Sequence, residues 1–270
     1  MDRQPLTAPQ ASPPWPEAAF TARVREHFGR RAADYRQHAQ LQRAVAWRLA
    51  HLLVRRLDEA PLPPGPAADL GAGSGLLSEA LHQQGLRRPL VQLDLCPQLL
   101  AANPVAQRHG QRLWNLNHGL PSELGGASLL CSSFVLQWLD QPEAQLELWC
   151  NTLAPGGWLA LALPTAASFP QWHRAAHRAG VPFSGLALPA SEALQAVAQQ
   201  HLDLHHQQRL CFSKADCDGR HFFRSLRAIG AVGSRQPRHG PAELRRLLQH
   251  WPKEEGITWT LLLLIGRRAS

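Results

Sequence analysis

The sequence predicts an α/β fold: a seven-stranded, mostly parallel sheet with helices on both faces. Two observations carry this. Short apolar runs alternate with helical stretches through the middle of the chain, and the first run ends in a glycine-rich loop that opens a helix. A third observation sets the scale, since 270 residues of which 44% are hydrophobic can bury a full core in one domain with a small appendage.

The elements follow in order. Residues 1–16, rich in Pro, Ala and Gln, predict a disordered tail, and 17–270 a single domain. Within it, 17–60 reads as lid helices: a polar helix over 17–35, then one with Leu41, Val45, Leu49 and Leu52 on a single stripe. Pro61-Leu62-Pro63-Pro64-Gly65-Pro66 breaks any helix and leads into the main fold. Residues 67–163 form the cofactor-binding half, with strands at 67–70, 90–94, 111–116, 127–132 and 158–163. Helices fall between them at 76–84, from 97 and at 143–153, the last closed by the turn Pro155-Gly156-Gly157. The helical stretch 164–200 interrupts the alternation and predicts a short inserted cap. The remainder, 201–270, carries strands at 202–212 and 257–265 around basic helices at 220–229 and 241–249.

Composition excludes several classes. The N-terminus shows no basic segment followed by an apolar one, and the run Leu261 to Ile265 is far shorter than the roughly 20 residues a bilayer requires. Five cysteines without a C-x-x-C pair, and 14 histidines without H-E-x-x-H, argue against a disulfide framework and against a metal site. A reduced, cytoplasmic, monomeric protein without a membrane partner is expected. The net charge of +8 is uneven: residues 1–150 hold 14 basic and 13 acidic side chains, and 151–270 hold 14 and 7. The C-terminal part therefore favours an acidic partner.

The chemistry begins at Asp69-Leu70-Gly71-Ala72-Gly73-Ser74-Gly75. Glycines between a strand and a helix permit a tight turn and close backbone approach to a cofactor. A dinucleotide site would place its third glycine at position 76, but Leu76 stands there and Gly75 comes one place early. That shift disfavours a nicotinamide enzyme. Asp94 closes the second strand, where a carboxylate can accept hydrogen bonds from two ribose hydroxyls, with Leu95 beside it. Asn115 and Leu116 end the third strand, and Ser132-Ser133-Phe134-Val135-Leu136-Gln137-Trp138 follows the fourth. Ligands in open α/β sheets lie outside these carboxyl ends.

Loop, early glycine and acid together resemble class I (Rossmann-like) methyltransferases, which implies S-adenosylmethionine as cofactor. Asp69, Gly71, Gly73, Gly75, Asp94, Leu95, Asn115, Leu116 and Phe134 are its expected contacts. That class usually has Asp where Asn115 stands; Asn keeps a carbonyl acceptor and adds an amide donor.

Four segments resemble the malonyl-acyl-carrier-protein O-methyltransferases of biotin synthesis: Phe28 to Tyr35 continuing through His38 to Gln42, Asp69 to Gly75 with Asp94, Phe134 to Trp138, and Arg224-Ser225-Leu226-Arg227-Ala228-Ile229-Gly230-Ala231. The likeness covers about residues 20–268. It implies methyl transfer to the free carboxylate of a malonyl thioester on acyl carrier protein. A carboxylate is already ionised at neutral pH, so orientation rather than a general base is required. Gln137 and Trp138 are expected to donate to it and the single tyrosine, Tyr35, to close over it, with His38 and Gln42 nearby. Arg224 and Arg227, in a stretch over 224–250 with six arginines against Glu243, are expected to meet the acidic carrier. Three readings stay open: a methyltransferase for another small acid or a quinone-like ring, a nucleic-acid methyltransferase, disfavoured by the lack of an N-P-P-Y-like tetrapeptide, and a non-catalytic binding protein.

Overall fold

A computed structural model of the chain describes residues 17–215, 217–252 and 255–269; the tail expected over 1–16 lies outside them. The first helical stretch is two helices, α1 (Glu17–Gly29) and α2 (Ala32–His38), because Arg31 leaves the helical region between them at φ −113° and ψ 4°. The third helix, α3 (Gln40–Glu59), buries Val45, Ala46, Leu49, Ala50 and Leu53 along one stripe.

Strand–helix alternation follows, with β1 (Ala67–Leu70), α4 (Leu76–Gln83), β2 (Val91–Asp94), α5 (Pro97–Ala101), α6 (Ala106–His109) and β3 (Gln111–Leu113). Then come β4 (Ala127–Ser133), α7 (Pro142–Thr152), β5 (Leu153–Pro164), α8 (Pro170–Ala179) and α9 (Ser191–His201). The chain closes with β6 (Asp203–Lys214), α10 (Gly219–Ala228), α11 (Pro241–Gln249) and β7 (Ile257–Arg267). The seven strands lie in the order β3-β2-β1-β4-β5-β7-β6. All pairs are parallel except those of β7, which runs antiparallel to β5 and to β6. Strand order reverses between β1 and β4, and a crevice is expected at that switch point.

Two details depart from the sequence reading. The third strand stops at Leu113, and Asn115 instead caps a single 3-10 turn, Leu116–His118. Pro155-Gly156-Gly157 lies inside β5: Leu153 pairs with Ala127 and Trp158 with Leu129, so the extra residues bulge out of the ladder.

The sheet separates two apolar cores. Along β7, Leu262 and Leu264 face α7 and α9, where they join Trp149, Leu194 and Ala198. Leu261, Leu263 and Ile265 face the other way, onto Leu49 and Leu53 of α3 and Leu81 of α4. This period of two is what a strand buried on both faces requires. A third cluster joins α8, α10 and α11 through Phe169, Trp172, Phe222, Leu247 and Trp251, off the carboxyl end of the sheet. Of the stretch 164–200, α8 belongs to this third cluster, whereas α9 packs on α7 as a sheet-covering helix. Among the described residues no helix is long and apolar enough to cross a membrane.

Candidate active site

A cavity of about 1240 Å³ opens where the carboxyl ends of β1, β2 and β4 meet α1, α2 and the α8–α10–α11 cluster. Single-ligand pockets span roughly 300–1,000 Å³, so this one has room for a cofactor and an acceptor together.

The glycine loop forms one wall. Ala72 N–H donates to Leu93 O at 2.8 Å, tying the loop to β2, and Gly71 and Gly73 line the cavity. Gly75 sets the turn into α4 at φ 85°, and a Cβ there would meet Asn103 Cγ at 2.8 Å. Gly75 is thus required by backbone and packing and stands outside the cavity wall. Asp69 also stays outside the wall. It is 1% exposed and accepts from Ser78 Oγ at 2.6 Å, bracing β1 against α4. Burial pushes its carboxyl up to about 7, opposed by the Ser78 hydrogen bond.

Asp94 lies in the wall. Its Oδ2 accepts from Gly73 N–H at 2.8 Å and its Oδ1 from Cys96 N–H at 2.7 Å. Burial pushes this carboxyl up to about 6, and those backbone donors hold it from going higher. Leu95, Asn115 and Leu116 continue the wall. Asn115 Oδ1 accepts from Asn117 N–H at 3.1 Å, so one of its lone pairs is spent on its own turn.

At the end of β4, Phe134 adopts φ 60°, a left-handed conformation that a bulky residue keeps only under tertiary constraint. Its N–H donates to Ala162 O at 2.8 Å, and its carbonyl accepts from Gln137 Nε2 at 2.9 Å. The donor expected of Gln137 is therefore turned onto the backbone. Its Oε1 is left buried without a partner, as is Ser133 Oγ. Trp138 lines the cavity, its ring edge-on to Phe28 at 5.5 Å, and its indole N–H has no partner among the described residues.

The opposite wall comes from remote segments. Tyr35 is half-buried, with its ring 6.2 Å from Phe28, and its phenol is raised above the ordinary value by burial and then by the charge of Asp94. It stays a neutral O–H donor at physiological pH. Gln42 reaches the wall; His38, exposed on α2, does not. Arg224 and Arg227 reach it from α10, joined by Arg220 of the same helix and by Arg25 of α1. Aromatic rings close the far end: Phe169, also left-handed at φ 61°, stands 4.4 Å from Trp259 and 6.3 Å from Trp172.

A family model described as a methyltransferase domain matches residues 37–212, the span that carries the glycine loop and the buried Asp94. The malonyl-[acyl-carrier protein] O-methyltransferase of Alcanivorax borkumensis is 35% identical, covering 94% of this chain and 88% of that protein. The chain belongs to the malonyl-[acyl-carrier protein] O-methyltransferase family. The family member from Salmonella typhimurium is 28% identical, covering 89% of this chain and 95% of its own. The biotin biosynthesis bifunctional protein of Bordetella avium is 29% identical over 86% of this chain, which spans about half, 49%, of that relative's length. Among solved structures, the N-methyltransferase NodS of Bradyrhizobium japonicum, in complex with S-adenosylhomocysteine, superposes with a TM-score of 0.52. At 16% identity, over 92% of this chain and all (100%) of that one, it shares the fold alone.

The protein is an S-adenosylmethionine-dependent methyltransferase, and the wall fits that cofactor. Asp94 keeps lone pairs free beside its two backbone donors, as a ribose diol needs. Sequence reasoning passed over Arg36, which donates to Ser74 O at 2.6 Å and pairs with Glu79, holding α2 to the glycine loop. It also passed over Arg25 and the aromatic end wall, and gave Ser133 no role beyond its place in the segment after β4. Only the orphaned hydroxyl at Ser133 had a local signal, its place at the end of a buried strand.

Proposed function

We propose that this enzyme methylates the free carboxylate of a malonyl thioester carried on acyl carrier protein. The observation that carries this reading is one cavity joining the cofactor wall at Asp94 to a rim of exposed arginines on α10. The names of the curated relatives support it.

When bound, S-adenosylmethionine supplies an electrophilic methyl group on a sulfonium centre. The residues do the rest. Asp94 and the loop at Gly71 and Gly73 would hold the cofactor's ribose and tail, and Asn115 and Leu116 would hold its base. The acceptor carboxylate needs no base, because its ordinary pKa lies near 4. Tyr35 O–H and Trp138 indole N–H are the neutral donors at hand to hold one carboxylate oxygen and leave the other free. Phe134, Phe28 and Trp138 exclude water from the reacting pair, and such alignment can supply on the order of 7–11 kcal/mol in well-ordered models. At the mouth, Arg224 and Arg227 face an acidic carrier.

The test is mass spectrometry of malonyl- and succinyl-acyl carrier protein incubated with enzyme and cofactor. The expected result is one added methylene unit on the malonyl species. No gain on either species overturns the malonyl-carrier reading and directs the search to other small acids.

A further inference from the structure

The buried stripe of α3 begins with a residue foreign to an apolar core. Val45, Ala46, Leu49, Ala50 and Leu53 carry the stripe, and one turn before Val45 the same face presents Gln42. Gln42 is 8% exposed and lines the cavity. Its amide makes no hydrogen bond with any described residue, yet neither Oε1 nor Nε2 is sealed from solvent. An apolar side chain here would extend the stripe. A glutamine with both amide atoms open to the cavity is arranged for a polar ligand instead.

The place of Gln42 decides which part of a ligand it meets. The strand ends run β3, β2, β1, β4 across the sheet, and the wall follows them: Asn115 and Leu116, then Asp94, then Gly71 and Gly73, then Phe134. Gln42 stands at the Phe134 end of this row. Its helix packs against β4 and β5, and Phe134 joins the apolar cluster that Val45 and Leu49 form with Leu77 of α4. The start of α3 is also fastened to the glycine loop: Arg43 donates to Arg36 O, and Arg36 donates to Ser74 O at 2.6 Å. A cofactor laid along the row with its base at Asn115 and its ribose at Asp94 reaches this end with its amino-acid tail. That tail bears an ammonium and a carboxylate on one carbon. A primary amide carries an acceptor and a donor on one carbon, so it can meet both charges.

We propose that Gln42 binds the tail of S-adenosylmethionine, its amide meeting the α-amino and α-carboxylate groups. This rests on the cofactor assignment and holds whichever acid is methylated. It moves Gln42 from the acceptor, where the sequence grouped it with Tyr35, to the far end of the cofactor. Holding the ribose at Asp94 and the tail at Gln42 fixes the sulfonium from both sides, since it is bonded to each.

Calorimetry with two thioethers tests this. S-adenosylhomocysteine carries the amino-acid tail, and 5′-methylthioadenosine has the same base, ribose and sulfur without it. In Gln42→Met the Kd of S-adenosylhomocysteine is expected to rise about 10- to 100-fold, the worth of hydrogen bonds to charged groups, and that of 5′-methylthioadenosine to stay within about twofold. Tm is expected to hold or rise, because the new side chain extends the apolar stripe. Equal losses on both ligands overturn the proposal and leave Gln42 as a packing residue. Unchanged Kd for both overturns it too, and a raised acceptor KM would then return Gln42 to the acceptor. Gln42→Leu decides by the same comparison if Gln42→Met does not fold, judged by near-ultraviolet circular dichroism. Wild-type protein that binds neither thioether refutes the cofactor assignment itself, which is a distinct outcome.

Discussion

At the scale of single residues, Asp94 sets the pH behaviour of the cofactor site. Its carboxyl titrates near 6 because burial outweighs the hydrogen bonds from Cys96 and Gly73. As pH falls through that value the group takes up a proton and exchanges one acceptor for a donor, which weakens the hold on the ribose proposed for it. Affinity for S-adenosylmethionine should therefore hold above about pH 7 and weaken by up to about tenfold per unit below 6. Calorimetry from pH 8 to 5 checks this. Asp94→Asn should remove the pH dependence and lower affinity by roughly 10- to 100-fold at pH 8, the worth of a hydrogen bond to a charged group. Stability runs the opposite way. The folded-state values of Asp94 and of Asp69, about 6 and about 7, lie above the ordinary carboxylate value of 3.8. Their contribution to stability is complete below the unfolded pKa and is lost as pH rises through 6 to 7.

At the scale of elements, the segment after α10 explains a motif that the sequence offered only as a resemblance. Gly230 has φ 74°, and a Cβ there would stand 2.7 Å from His27 O and 2.9 Å from Phe28 Cα. The backbone of α1 lies directly on it. This seat brings Phe28 to Trp138 and Tyr35 and makes α1 a cavity wall. Gly230→Ala should cost about 1–3 kcal/mol in backbone strain and lower Tm by several degrees. Because the displaced element is a wall of the acceptor side, KM for the acceptor should rise more than Kd for the cofactor. Thermal melts with steady-state kinetics measure both; equal changes in the two constants would place α1 elsewhere in the mechanism. The ion pair of Arg235 with Asp140 and the stacking of Arg235 on Phe20 anchor the other end of the same helix.

At the scale of the whole molecule, charge and sheet polarity converge on one mouth. Arg220, Arg224 and Arg227 of α10 and Arg25 of α1 lie in the cavity lining. Such a rim steers an acidic macromolecule and affects encounter more than chemistry. Reversing both Arg224 and Arg227 to Glu should raise KM for malonyl-acyl carrier protein by at least about tenfold at low salt, and far less for malonyl-coenzyme A. The difference should shrink as ionic strength rises. Equal losses on both thioesters would assign these arginines to the malonyl group instead of the carrier.

The cofactor half was legible from sequence because its signals are local. A strand, three glycines and an acid at fixed spacing determine their own geometry, and Gly71, Gly73, Asp94, Leu95, Asn115 and Leu116 all line the cavity. Spacing could not distinguish wall from brace, so Asp69 and Gly75 proved to hold β1 and the turn in place while lying outside the wall. His38 shares α2 with Tyr35 but lies outside the wall, since a short helix presents only one face to the cavity. The acceptor side was decided by tertiary structure alone. Its lining comes from α1, α8, α10 and β7, segments up to some 240 positions apart, and no local pattern records that Phe169, Trp172 and Trp259 meet. The same holds for the polarity of Gln137. Sequence supplied an amide with two possible ends, and the left-handed turn at Phe134 determined which of them the backbone takes.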